Sequence, residues 1–218
     1  MHVVRVYYDG DIKSNTLITL GIKASHHILR VLRINIGDAL VIFNGKAGEY
    51  SATLTAIKNK HAIVAVTTMQ RTQTESPVQL ELAQGISRGE RMDYALQKAV
   101  ELGVSKIVPL FTERCGVKLK NKRLENRLAH WNSIIVGACE QSGRCIIPPL
   151  ATAQPLDQWL TKKRSGLQLV CDPRAQTTLS ALPKTATHVT VLIGPEGGLT
   201  AEELQHAKVA GFIGFSLG

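Results

Sequence analysis

The chain has 218 residues and a mass of 23.7 kDa, enough for one large domain or two small ones. Hydrophobic residues make up 44 % and charged ones 20 %, apolar surface enough to offset chain entropy, which excludes global disorder. No apolar run reaches the roughly 18 residues of a membrane span, and 26 basic against 17 acidic residues leave a charge of +9, which fits a polyanionic partner.

In chain order, residues 1–10 carry Asp9 and no apolar signal core, so no signal peptide and a cytoplasmic location are expected. Residues 3–8, 16–20, 40–43, 50–57 and 62–69 are β-rich, with Gly37-Asp38 and Asn44-Gly45 as turn signals. One helical pattern interrupts them at 25–33. It puts Ile28, Val31 and Leu32 on one face and Arg30 and Arg33, three apart, on the adjoining face. A small β-barrel over residues 1–72 is the natural assembly. Up to Thr74 the chain holds 9 basic and 4 acidic residues, so this first third carries +5 of the excess. The polar run 70–76 and Pro77 then predict a linker.

Beyond it, over 77–218, the period changes. Residues 78–84 predict a strand, and 88–102 an amphipathic helix with Met92, Leu96, Ala99 and Leu102 on its apolar stripe and Gly103 as its stop. A strand at 105–111 completes a βαβ unit, the element of parallel sheets. Helices follow at 124–139, 156–162 and 201–210, and strands at 167–171, 189–193 and 212–217. This alternation defines an α/β domain with helices on both faces of its sheet. Its charge excess concentrates in Arg114, Lys118, Lys120, Lys122, Arg123 and Arg127.

The four cysteines, Cys115, Cys139, Cys145 and Cys171, form no C-x-x-C pair, and the histidines lack ligand-like spacing; reduced thiols and no metal are expected. Hydrolase elbows and zincin motifs are missing too. The richest stretch is Val191-Leu-Ile-Gly-Pro-Glu-Gly-Gly-Leu-Thr-Ala-Glu-Glu-Leu204, where a strand, a glycine loop and a helix succeed one another. Thr200 and Glu203 are spaced as a capping box, and the glycines let backbone approach a ligand. The loop lacks a phosphate fingerprint and is acidic. That favours a neutral or cationic ligand, such as an adenosyl sulfonium, while a tight turn without a ligand is the alternative. The helix charges Asp93, Lys98 and Glu101 read as a solvated face. Arg114 follows a strand and Arg144 a helix stop at Gly143, positions from which a guanidinium can grip phosphate.

Together, Arg88-Gly-Glu-Arg-Met-Asp93, Gln97-Lys-Ala-Val-Glu-Leu-Gly-Val104, Glu113-Arg-Cys115, Glu140-Gln-Ser-Gly-Arg144 and Ile193-Gly-Pro-Glu-Gly-Gly198 resemble the ribosomal small-subunit RNA methyltransferase E family. So does His26-His-Ile-Leu-Arg-Val-Leu-Arg33. The resemblance runs in order over nearly the whole chain. It implies a PUA-like β-barrel that helps bind RNA, followed by a SPOUT-type α/β domain tied in a trefoil knot. It further implies a homodimer that uses S-adenosylmethionine, without a metal, to methylate N3 of a uridine in small-subunit (16S) ribosomal RNA, naked or in an assembled particle. In that family the chain continues after Ser-Leu-Gly with a loop and a helix, so the resemblance implies that residues beyond Gly218 complete the knot and the pocket.

On this resemblance the cofactor would be held by Leu192, Ile193, Gly194, Pro195, Glu196, Gly197, Gly198, Leu217 and Gly218. Arg144 would orient the target nucleotide or stabilise developing charge, and Glu196 would be a base or a cofactor contact. RNA would be met by Arg5, Arg30, Arg33, Arg88, Arg114 and Lys118. Arg144→Ala is expected to cost methyl transfer far more than stability. The alternative is a non-catalytic RNA-binding or ribosome-assembly protein with a methyltransferase-like domain.

Overall fold

The computed structural model describes residues 3–46, 48–70, 75–116 and 121–216. The chain divides into two compact units, one of residues 1–75 with 136–147, the other of 76–135 with 148–218.

In the first unit, β1 (Val4–Tyr7), β2 (Leu17–Thr19), β3 (Ala39–Phe43), β4 (Glu49–Lys58) and β5 (His61–Gln70) form one sheet in the order β1-β3-β4-β5-β2. β1 runs parallel to β3, and the other pairs are antiparallel. Alternation sends Val6, Ile18, Leu40, Ile42, Leu54, Val64 and Val66 into one core with Ile28. A sheet whose five strands all contribute to one small core must curl, and two register shifts between β4 and β5 supply the bend. The β4–β5 hairpin turns on Asn59 and Lys60, both at positive φ, without the usual glycine.

The expected helix at 25–33 is shorter and earlier: α1 (Ile22–His26) passes into a π-helical turn, His27–Val31, marked by Leu32 N donating to His27 O at 3.0 Å. Arg33 lies beyond it at φ +55°, so it does not share a helical face with Arg30. Ser25 is buried and ties α1 down. Its Oγ donates to Leu20 O at 3.1 Å and accepts from Ala62 N at 3.0 Å. The segment 136–147 joins this unit through polar contacts, with Glu140 Oε1 accepting from Tyr7 N at 2.9 Å.

The second unit contains β6 (Gln79–Gly85), α2 (Glu90–Glu101), β7 (Lys106–Phe111), most of α3 (Asn121–Ser142), β8 (Gln154–Pro155), α4 (Leu156–Leu160), β9 (Leu167–Cys171), β10 (His188–Ile193), α5 (Ala201–Val209) and β11 (Ile213–Phe215). All its strands are parallel, in the order β11-β9-β10-β6-β7-β8. β10 inserts between β6 and the earlier β9, and the connections that leave β6 and β10 run in opposite directions, to β7 and to β11. Val108 and Leu110 of β7 pack with Trp159, Leu192, Ala207 and Phe212; Ile107, pointing the other way, is also fully buried, so the strand is covered on both faces.

On α2 the buried stripe is Met92, Leu96 and Val100. Leu102, expected on that stripe, is 82 % exposed, because two residues past Val100 the helix has turned about 200°. Lys98 pairs with Glu101 at 2.6 Å and Asp93 with His130 at 2.8 Å, a use for charges read as merely solvated. The four cysteines are thiols rather than disulfides, and burial pushes Cys139 up to about 11. Leu54→Ala, which hollows the barrel core, is expected to cost about 3 kcal/mol, measured as faster amide hydrogen exchange in β4 and β5.

Candidate active site

The glycine loop leaves the carboxyl end of β10, beside β6, where the winding direction changes; open parallel sheets hold ligands at such points. Close backbone approach shapes the loop. A Cβ on Gly85, the last residue of β6, would lie 2.6 Å from Pro195 Cδ, and one on Gly194 would lie 2.8 Å from the Gly198 carbonyl carbon. Gln84 Nε2 donates to Gly194 O at 3.2 Å, and Gly198 N closes a turn on Pro195 O at 2.8 Å with Gly198 at φ +70°.

The helix start that follows is locked by the expected capping box: Thr200 Oγ1 accepts from Glu203 N at 3.2 Å, and Glu203 Oε2 from Thr200 N at 2.9 Å. The second oxygen of Glu203 accepts from Glu113 N at 2.8 Å, which binds the loop after β7 to the same helix.

Between the loop, the turn after β9 and the exposed side of α5 lies a cavity of about 690 Å³, within the range of small-molecule sites. Ile193, Gly194, Pro195, Glu196, Gly197 and Gly198 all line it. Leu192 does not; its side chain is fully buried in the core beneath. Leu217, Gly218 and Lys118 lie outside the described residues.

Opposite the loop stands Asp172, directly after β9, which the sequence reading passed over although a carboxylate ending a parallel strand was visible there. Burial pushes its carboxyl up, but the backbone N–H of Arg174 and the Lys208 ammonium, at 3.1 and 3.2 Å, outweigh that and hold it below the usual range. Glu196 accepts from the backbone N–H of Arg88 at 2.9 Å, and this bond holds its carboxyl low. A carboxylate held in its charged form is a weaker base than a free one, which favours the ligand contact of the two roles expected of Glu196. Arg114 crosses the loop and donates to Gly197 O at 2.9 Å; both Arg114 and Arg88 are exposed.

The remaining expected site residues belong to the first unit. Arg30 and Arg33 are exposed, and Arg30 shares with His26 and Lys60 the rim of a hollow floored by Ile22, Leu29 and Ile57. Arg5 is not a surface cation: it is paired with Glu49, its side chain is 11 % exposed, and it donates to Arg144 O at 3.3 Å. Its expected RNA contact is therefore corrected to a structural tie. Arg144 is buried and paired with Glu75, so Arg144→Ala must cost stability as well, on the order of 1–3 kcal/mol. Among the described residues no group of three or more His, Cys, Asp or Glu could hold a metal ion.

A family profile described as an RNA methyltransferase domain matches residues 74–218, and one described as an RNA methyltransferase PUA domain matches residues 21–67. The ribosomal RNA small subunit methyltransferase E of Buchnera aphidicola is 32 % identical over 99 % of this chain and 88 % of its own length. A putative methyltransferase of Legionella pneumophila, whose structure contains bound SAM, is 38 % identical with a TM-score of 0.96 over 100 % of this chain and 90 % of that one. The ribosomal RNA small subunit methyltransferase E of Neisseria gonorrhoeae, bound to S-adenosyl methionine, gives 35 % and 0.91 over the same shares.

A parallel α/β unit with its loop at the switch point, behind a PUA-like barrel, defines an RNA methyltransferase of SPOUT type. Within that class, the chain belongs to the ribosomal RNA small subunit methyltransferase E family.

Asp172 also sets a pH dependence. Because its folded pKa is depressed, its contribution to stability is full above the unfolded value near about pH 4 and is lost as pH falls through the folded value. Asp172→Asn is expected to be less stable at neutral pH and to lose less stability between about pH 5 and pH 3 than the parent chain, read from urea midpoints.

Proposed function

We propose that this chain transfers a methyl group from S-adenosylmethionine to N3 of a uridine in small-subunit ribosomal RNA. The observation that carries the reading is the glycine loop, turned back on itself at the carboxyl end of β10 and lining a cavity of about 690 Å³ in a chain of this family. The residues suit the donor. Ile193, Leu199 and Leu204 offer apolar wall for an adenine, and the carboxylates of Asp172 and Glu196 offer negative charge toward an ammonium or sulfonium. When bound, S-adenosylmethionine supplies a methyl group already activated by its positive sulfur.

The chain's own residues have to orient and to stabilise charge. Backbone groups from Ile193 to Gly198 hold the ligand in a fixed pose, since Gly85 and Gly194 leave the loop no room to shift. Arg114 and Arg88 face RNA phosphates from this unit, and Arg30, with Lys60 and His26 beside it, does so from the barrel. Arg144, held by Glu75, would orient the target nucleotide only on release from that pair. An anionic uracil formed at N3 needs positive charge beside it, which Arg114, reaching across the loop, supplies from this unit, and the N3 proton passes to solvent water. The knot and the homodimer belong to the same reading. Tyr94, Leu102 and Val209, 64 %, 82 % and 79 % exposed, are apolar surface in keeping with a partner subunit.

Mass spectrometry of small-subunit ribosomal RNA from cells lacking the gene tests the reading. An N3-methyluridine is expected to vanish and to return with the gene, and an intact modification refutes the assignment. Gly194→Ala pushes a Cβ onto the Gly198 and Leu199 backbone. It is expected to lower methyl transfer on the order of 100-fold, in an assay with purified small subunits or their RNA.

A further inference from the structure

A second cavity, of about 560 Å³, opens at the other end of the same sheet, among the first residues of β6, β7 and β10. With a rise of about 3.3 Å per residue, β10 separates it from the glycine loop by about 20 Å. Its lining includes Lys106, Lys162, Lys163, Arg164 and His188, against the carboxylate of Glu81, which is taken by Lys106 at 2.8 Å.

Arg164 is held as a fixed platform. Its guanidinium lies 3.6 Å from the centre of the Trp159 ring and 5.7 Å from that of Phe212. It donates to Lys162 O at 2.8 Å and to Trp159 O. Among the described residues no carboxylate is hydrogen-bonded to it. The turn that carries it cannot drift, because Gly166 sits at φ +82° and a Cβ there would be 2.3 Å from His188 O. Lys162 is steadied by Gln154 at 2.7 Å, and Lys163 next to it is exposed.

A partly buried guanidinium whose neighbouring carboxylate, Glu81, is already hydrogen-bonded to Lys106, flanked by two exposed lysines in an open hollow, leaves positive charge to be met from outside the chain. We propose that it grips a backbone phosphate of the RNA substrate through Lys162, Lys163 and Arg164, so that RNA is held at both ends of the parallel sheet. The proposal rests on the reading that the chain acts on RNA. A polyanion fits better than a lone small anion, because three consecutive cations line one open hollow and Lys163 is exposed beside the fixed Arg164.

The test uses the full chain and the paired substitution Lys162→Ala, Lys163→Ala, at exposed positions whose loss leaves the fold intact. Binding of small-subunit ribosomal RNA is expected to weaken about tenfold at low salt, with the slope of log K against log salt shallower by about 1.5. The melting temperature and the calorimetric affinity for S-adenosylmethionine are expected to stay unchanged. Unaltered RNA affinity and slope, beside a parent chain that does bind RNA, overturn the proposal. Saturable binding of inorganic phosphate that RNA does not displace, followed by the Trp159 indole resonance, also overturns it in favour of a free anion. A parent chain that binds S-adenosylmethionine but no RNA removes the RNA-dependent reading itself.

Discussion

Two strand ends in the second unit meet with no side chain between them, and the candidate site depends on that meeting. β6 ends in Gly85, which faces Pro195 and Gly194 so closely that a single Cβ would push the glycine loop outwards. Because β6 and β10 are hydrogen-bonded along six residue pairs, from His188↔Gln79 to Ile193↔Gln84, the loop starts from a rigid edge. The Gln84 amide then fixes Gly194 O, the turn on Pro195 fixes Gly198, and the capping box fixes Thr200. Each bond uses a backbone group that the strand-to-helix change would otherwise leave without a partner. The outcome is a loop whose shape is set before any ligand arrives, the condition under which backbone groups bind without a large ordering cost.

The charges around this loop are arranged by the same local bonds. Glu196 and Asp172 stay ionised because backbone N–H groups point at them, from Arg88 and from Arg174. Cations stand close by, with Arg114 across the loop and Lys208 on Asp172. The mixture suits a ligand with its own positive and negative ends better than a bare phosphate, whose sites rest on glycine-lined amides and a lysine. In the barrel, by contrast, burial turns charges inward. Arg5 with Glu49 and Arg144 with Glu75 serve the packing of residues 136–147, while cations such as Lys23, Arg30, Arg33, Lys58 and Lys60 are exposed.

Much of this was legible in the residues. Strand 167–171 has its expected bounds, the other expected strands lie within two residues of theirs, and Gly103 at φ +93° ends α2 as its position suggests. Those features are local: alternation, caps and glycine stops act within a few residues. What escaped depended on contacts distant in the chain. Leu102 belongs to an apolar run but lies past the turn where the helix faces the core. Arg5 reads as any strand arginine, and only Glu49, 44 residues away, shows that it is turned inward. β8 is two residues long and exists because β7 needs an edge partner, which no propensity announces.

The net charge of +9 is more informative once these internal pairs are set aside. An arginine bound to a glutamate in a packed segment attracts no distant polyanion, since the pair is neutral beyond a few ångströms. Arg5 and Arg144 leave the field this way, together with Glu49 and Glu75. Removing equal numbers of each sign leaves the excess unchanged but concentrates it on groups such as Arg30, Arg88, Arg114, Lys162 and Lys163, which are exposed. These lie in both units and, within the second, at both ends of the sheet. A surface of this kind attracts a polyanion through its long-range field, which carries no sequence information by itself.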